Sequence, residues 1–151
     1  MHTPRLLIID DAADVHALVR ARLADDGYEI RSAYDAEAGA ALARTLRPDV
    51  ILLDIDLPGD DGFTACQHLK EDPQTRRIPV IFVTAAKGLE DMVQGLECGA
   101  VDFVTKPFDP DELRARVRAT LRTKSMIDDL AQARVSQFFH EAVAPMARKA
   151  G

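Results

Sequence analysis

Five short apolar runs punctuate the chain, and stretches of helical periodicity separate them. Leu6-Leu7-Ile8-Ile9 opens the series and stops at Asp10-Asp11. Tyr28 to Ala33 alternates, Val50 to Leu53 is unbroken, Ile78 to Val83 is nearly so, and Val101 to Val104 is short. Runs of this length predict strands, and the uninterrupted ones predict strands buried on both faces of a parallel sheet. Between them, Asp14 to Ala24 sets Val15, Leu18, Val19 and Leu23 at helical spacing, with Arg22 the polar exception. Ala36 to Leu46 is an alanine-rich helix behind a capping Asp35 and before Pro48. A third helix, about Phe63 to Lys70, follows Asp60-Asp61, and a fourth, Leu89 to Glu97, is closed by Gly99. Asp109 or Asp111 caps a last helix from about Glu112. Strand and helix alternate five times with short connections, which predicts an α/β fold with helices on both faces of a parallel sheet.

In such a sheet the carboxyl ends of all strands lie on one edge, where ligands bind. Four polar positions fall just past apolar runs: Asp10-Asp11, Asp54, Thr84 and Lys106. Taken singly, these are a helix cap, a turn acid, a structural threonine and a surface lysine. Taken together on one edge, they have chemistry in common. Clustered carboxylates repel one another unless a cation joins them, and Mg²⁺ prefers oxygen ligands. Asp54 is the central member, framed by the turns at Pro58-Gly59 and Gly62. An ionised carboxylate attacking a phosphoryl group gives an acyl phosphate. Mg²⁺, the Lys106 ammonium and the Thr84 hydroxyl would balance and orient the transferring group.

At residues 5 to about 122 the chain resembles a response-regulator receiver domain of two-component signalling. The motifs that carry the resemblance are Ile9-Asp10-Asp11, Leu53 to Gly62, Val83-Thr84-Ala85 and Gly99 to Phe108. The resemblance implies a flavodoxin-like five-stranded sheet in the order 2-1-3-4-5. It implies that Asp54 accepts a phosphoryl group from a sensor histidine kinase. Asp11 and Asp54 would ligate Mg²⁺ directly, with the backbone carbonyl of Asp56 a third ligand and Asp10 bound directly or through water. Thr84 and Lys106 would contact the phosphoryl oxygens, with Lys106-Pro107 a cis peptide. Phe103 would be the aromatic switch, turning inward as Thr84 moves. Ala86 and Asp56 would stand where water approaches. The phosphorylated state would be read on the helix 89–97 and the fifth strand by an effector, an output domain or a second copy. Such a domain is a signalling switch that catalyses only its own phosphorylation and dephosphorylation, so it is not an enzyme in the metabolic sense.

The remaining features bound this reading. A chain of 151 residues predicts one domain with an appendage, here 1–122 and a helical extension 123–151. The extension sets Ile127, Leu130, Ala131, Val135, Phe138, Phe139, Ala142 and Val143 on one helical face before Pro145. That stripe predicts a dimerising helix or a connector, although it holds no strict heptad. His140 on it reads as an ordinary partly exposed histidine rather than a phosphotransfer histidine, and His2, His16 and His68 have no metal-ligand spacing. The net charge of −6 argues against a nucleic-acid surface. No apolar run is long enough for a signal peptide or a membrane span, and Cys66 and Cys98 suit a reducing cytoplasm. Two rivals remain. One is a haloacid-dehalogenase-like phosphohydrolase using Asp54 and Asp56; the other is a receiver-fold adaptor that works without phosphate. The first would place its nucleophile on the first strand, and the second would not need all of Asp10, Asp11, Asp54, Thr84 and Lys106.

Overall fold

The structure is a computed structural model that describes residues 3–85 and 88–150, with side chains described as far as residue 137. Its elements run β1 (Arg5–Ile9), α1 (Ala13–Leu23), β2 (Glu29–Ala33), α2 (Ala36–Leu46), β3 (Val50–Leu53), α3 (Gly62–Glu71), β4 (Val80–Thr84), α4 (Leu89–Glu97), β5 (Asp102–Thr105) and α5 (Pro110–Ala150). The strands form one parallel sheet in the order β2-β1-β3-β4-β5, the order that the resemblance implies. Two compact units divide the chain, Met1–Leu121 and Arg122–Gly151.

In the first unit, alternation along each central strand builds two cores. Leu7, Ile9, Ile51, Leu53, Val80, Phe82 and Phe103 face α2 and α3, where Ala43, Phe63, Cys66 and Leu69 are buried. Leu6, Ile8, Val50, Leu52, Ile81, Val83 and Val104 point the other way, against Val19 and Leu23 of α1 and Leu113 and Val117 of α5. Because successive side chains of a strand alternate between faces, an unbroken apolar run is what a sheet covered on both sides requires.

Aspartates cap α2, α3 and α5, whereas α1 and α4 begin without a side-chain cap. Asp35 accepts the Ala38 N–H at 2.7 Å, Asp61 the Thr64 N–H at 2.8 Å, and Asp109 the Asp111 N–H at 2.8 Å. Asp109 rather than Asp111 is therefore the cap of α5, which begins at Pro110, where a missing N–H costs nothing. β4 starts at Val80 and not at Ile78, because Ile78 gives its N–H to the Thr75 carbonyl in a turn and Pro79 has none to give.

α1 differs from expectation on its buried face. His16, Val19 and Leu23 are buried, whereas Leu18 is exposed. Positions 16, 19 and 23 share the stripe that meets the sheet, and a histidine is tolerated there because both its ring nitrogens are hydrogen-bonded.

In the second unit, Met126, Ile127, Leu130 and Val135 are exposed along α5. Lys124 and Asp128 pair one turn apart at 2.7 Å. The helix continues to Ala150, so Pro145 does not end it as the sequence suggested; a proline removes one rung of the ladder without stopping the turns on either side. The side chains of Phe138, Phe139, His140, Ala142 and Val143 lie outside the described residues. Among the described residues, no helix is long and apolar enough to cross a membrane.

Candidate functional site

The site begins with the pairing of β1 and β3. Ile9 lies opposite Leu53, so the residues that follow them, Asp10 and Asp54, emerge side by side at the carboxyl edge. The Asp54 N–H donates to the Ile9 carbonyl at 3.0 Å, and the Asp10 N–H to the Ala33 carbonyl at 3.1 Å. Both acids are buried, while Asp11 is exposed at the rim. Asp10 Oδ1 accepts the Ala12 N–H at 2.9 Å, and Asp54 Oδ1 accepts the Asp56 N–H at 3.2 Å. The side chain of Asp56 is exposed.

Lys106 arrives from the far side of the sheet. β5 pairs with β4 through Thr105 and Thr84, and the Lys106 N–H donates to the Thr84 carbonyl at 2.8 Å. The Lys106-Pro107 peptide is cis. From there Nζ donates to Asp10 Oδ2 at 2.8 Å and to Asp54 Oδ2 at 3.3 Å. Thr84 is fully buried at the end of β4. Phe103 is buried as well, with its ring 6.2 Å from that of Phe82, which stands 5.5 Å from Phe63. Its ring is thus already turned into the core. Ala86 lies outside the described residues.

Gly62 fits the loop after β3 against its own strand. A Cβ there would run into the Asp54 carbonyl oxygen and come within 2.5 Å of Ile55 Cα. These are backbone atoms at the end of a buried strand, with no freedom to give way.

Carboxylate oxygens of Asp10, Asp11 and Asp54 lie within 4.8 Å of one another. That spread is close to twice a Mg²⁺–oxygen bond of about 2.1 Å, and every donor is a hard oxygen. Three carboxylates against one ammonium leave a formal charge of 3 − 1 = 2 negative units, which a divalent cation matches. The residues present therefore fit Mg²⁺.

The titration behaviour follows from the same geometry. Burial raises the pKa of Asp10 above the usual carboxylate value, and Lys106 and the Ala12 N–H only partly offset it. For Lys106, burial is the largest single effect and acts downward. Asp10 and Asp54 together outweigh it, so the ammonium is held more tightly than usual. The Lys106 contribution is therefore fully present below the unfolded lysine pKa, and is lost as pH climbs through the raised folded value. For Asp10 the sign is opposite to that of an ordinary salt-bridged acid. Its ionised form costs stability above its raised folded pKa, and acidification relieves that cost.

Lys106→Met should accordingly lower stability without metal at pH 7 by about 3 kcal/mol, since it strands two buried carboxylates. The deficit should shrink toward pH 5 as Asp10, whose pKa burial raises, takes up a proton. Urea unfolding in the presence of a chelator at both pH values measures this; an equal deficit at the two would contradict it.

His16 escaped sequence reasoning, because no spacing marks it. Only its register with Val19 and Leu23 on α1 could have flagged a buried position. In the structure its Nε2 lies 2.7 Å from the Asp10 carbonyl oxygen.

A five-stranded parallel sheet with three acids and a lysine on its carboxyl edge defines a doubly wound α/β domain whose clustered carboxylates suit a divalent cation. The family model described as the response regulator receiver domain matches residues 6–118. The chain belongs to that family, and its function is that of the receiver domain of a two-component response regulator, a phosphoaspartate signalling switch.

It is 48% identical over 132 residues to the response regulator PleD of Caulobacter vibrioides, covering 87% of this chain and 29% of that protein. It is 47% identical over 129 residues to RpaA of Synechocystis, named as a DNA-binding dual master transcriptional regulator, covering 85% of this chain and 54% of that protein. The Francisella response regulator 1452 receiver domain is similar in structure, with TM-score 0.74, 30% identity, and coverage of 80% of this chain and 98% of that one. The chain thus spans between about a third and about half of the curated relatives it matches. Family membership supports a signalling domain, and sets aside the phosphohydrolase reading, whose nucleophile would stand on the first strand and not on β3.

Proposed function

We propose that Asp54 takes a phosphoryl group from the phosphohistidine of a sensor histidine kinase. Mg²⁺ would be held by Asp10, Asp11, Asp54 and the backbone carbonyl of Asp56. The observation that carries this reading is the double contact of Lys106 Nζ with Asp10 and Asp54 beside the acidic cluster. When bound, the cation supplies charge neutralisation for the phosphoryl oxygens.

The chain's own groups do the rest. The Asp56 N–H and Lys106 Nζ hold the two oxygens of Asp54, so the carboxylate is oriented before the donor arrives. An Asp54 oxygen forms the new P–O bond as the P–N bond to the donor imidazole breaks, and the electron pair leaves with that nitrogen. Lys106 Nζ, already between the acids, moves its contact from Asp54 to the incoming oxygens. The Thr84 hydroxyl turns to the same group, and Phe103 beneath α4 answers the change.

α4 is the element best suited to report the state. Gly95 is its buried residue, while Leu89, Met92, Val93 and Leu96 stand exposed on it. A helix so lightly anchored can shift for the few kcal/mol that a population switch needs. We assign α4 and β5 as the surface for an effector, an output domain or a second copy. Residues 1–122 would be the switch, and residues 123–151 a dimerising helix or connector. A kinase-fed switch with two free cysteines belongs in the cytoplasm, and contact with nucleic acid is no part of this reading at a net charge of −6.

Incubation with acetyl phosphate and Mg²⁺ should add one phosphoryl group per chain and then stall, with no labelling in a chelator. A chain truncated after Arg122 should label equally well and self-associate less, as light scattering with and without beryllofluoride would measure. Catalytic release of phosphate would refute the switch, and an unchanged mass distribution after truncation would remove the role of the extension.

A further inference from the structure

Asp10 is held at every polar group it has. Three of these contacts are described above: its N–H on Ala33, and its carboxylate oxygens on Ala12 and Lys106. The fourth is its backbone carbonyl, which accepts from His16 Nε2 at 2.7 Å in a buried setting. A carbonyl only accepts, so Nε2 carries the hydrogen. Nδ1 then faces Ser32 Oγ at 2.8 Å, and that same hydroxyl oxygen accepts from Arg20 Nη2 at 2.8 Å. The hydroxyl hydrogen is left to point at Nδ1. The contacts form one unbroken donor chain from Arg20 through Ser32 and His16 to the Asp10 carbonyl. Tyr34 lies against the imidazole with ring centroids 4.4 Å apart and shields it from the solvent side.

We propose that His16, backed by Ser32 and Arg20, is a positioning residue that sets the acidic pair for its cation. This rests on the metal reading given above. The carbonyl of Asp10 belongs to the planar peptide that joins Asp10 to Asp11. Holding that oxygen fixes the plane, and with it the direction in which both acidic side chains leave the backbone. Asp11 stands exposed at the rim, so its placement depends on the backbone beneath it. Without His16 the buried carbonyl would lose its partner. The loop would rotate to find water, and it would carry two of the three carboxylates of the cluster with it. Groups that orient metal ligands from behind govern affinity by about 10- to 100-fold when removed. His16 acts here in that way, through the backbone and not the carboxylate.

The test uses the full chain and Mg²⁺ alone as the probe, with the dissociation constant read by calorimetry. It also uses hydrogen exchange at the Ala12 amide, which donates to Asp10 Oδ1, in the metal-free protein. His16→Leu should weaken Mg²⁺ binding about tenfold and speed exchange at Ala12. His16→Gln, whose side-chain amide can donate from nearly the position of Nε2, should restore most of both. Ser32→Ala should fall between them. Should His16→Leu not fold, the comparison of Ser32→Ala with His16→Gln carries the same test. Unchanged affinity and exchange in folded variants, with only the melting temperature lowered, would overturn the proposal. If the unaltered chain binds no Mg²⁺, the metal reading fails by itself, and exchange at Ala12 still decides whether His16 positions Asp10.

Discussion

Asp54→Asn should abolish the acetyl-phosphate-dependent mass increase altogether while leaving the fold in place. Asparagine has nearly the same volume, but it offers no anionic oxygen to attack phosphorus. Its amide also cannot accept at both oxygens as the carboxylate does from the Asp56 N–H and Lys106 Nζ. The fold should survive because Lys106 keeps its shorter contact, 2.8 Å, with Asp10. Intact-protein mass spectrometry after incubation reads the first expectation, and urea unfolding reads the second. Labelling that persists on another residue would displace Asp54 as the acceptor.

Gly62→Ala is expected to be the most disruptive single-methyl change in the first unit, costing about 3 kcal/mol, the upper end of ordinary overpacking. The added carbon would meet backbone atoms of Asp54 and Ile55. The Gly62 N–H also donates to the Ile55 carbonyl at 2.5 Å, so the start of α3 cannot simply back away. Any accommodation must move the carbonyl of the acceptor residue itself, so slower phosphorylation should accompany the lost stability. Gly59→Ala is the informative control. Gly59 has φ +85° but nothing within 4 Å of a built Cβ, so it should cost only about 1–2 kcal/mol of backbone strain. Denaturant midpoints of the two variants, with labelling rates in Mg²⁺, would check this; equal effects would show that contact with β3 is not what Gly62 supplies.

The two variants mark where reading the chain succeeded and where it stopped. The place of Asp54 at the carboxyl edge was legible because polar residues end four apolar runs of one parallel sheet, and Asp10, Asp11, Thr84 and Lys106 are the others; singly, none of them would have marked a site. The cap at Asp35 was legible because its hydrogen bond reaches only three residues along the chain; Asp61 was legible only as charge near a helix start, and the structure makes it the cap of α3. The boundaries of β4 and α5 were less so. The expected strand ran through Pro79 and the expected helix began only at about Glu112, yet Pro79 precedes β4 and Pro110 is the first residue of α5.

Local pattern determined the five strands, the helices between them and the edge on which the acids must gather, because periodicity and strand direction are properties of neighbouring residues. Folding in three dimensions decided that Lys106 spans two acids, that Gly62 has no room for a methyl group, and that His16 is buried with both nitrogens engaged. Each of those depends on partners from 6 to 96 residues away. A side chain's worth at such a distance is set by the atoms packed around it, and no local spacing records them.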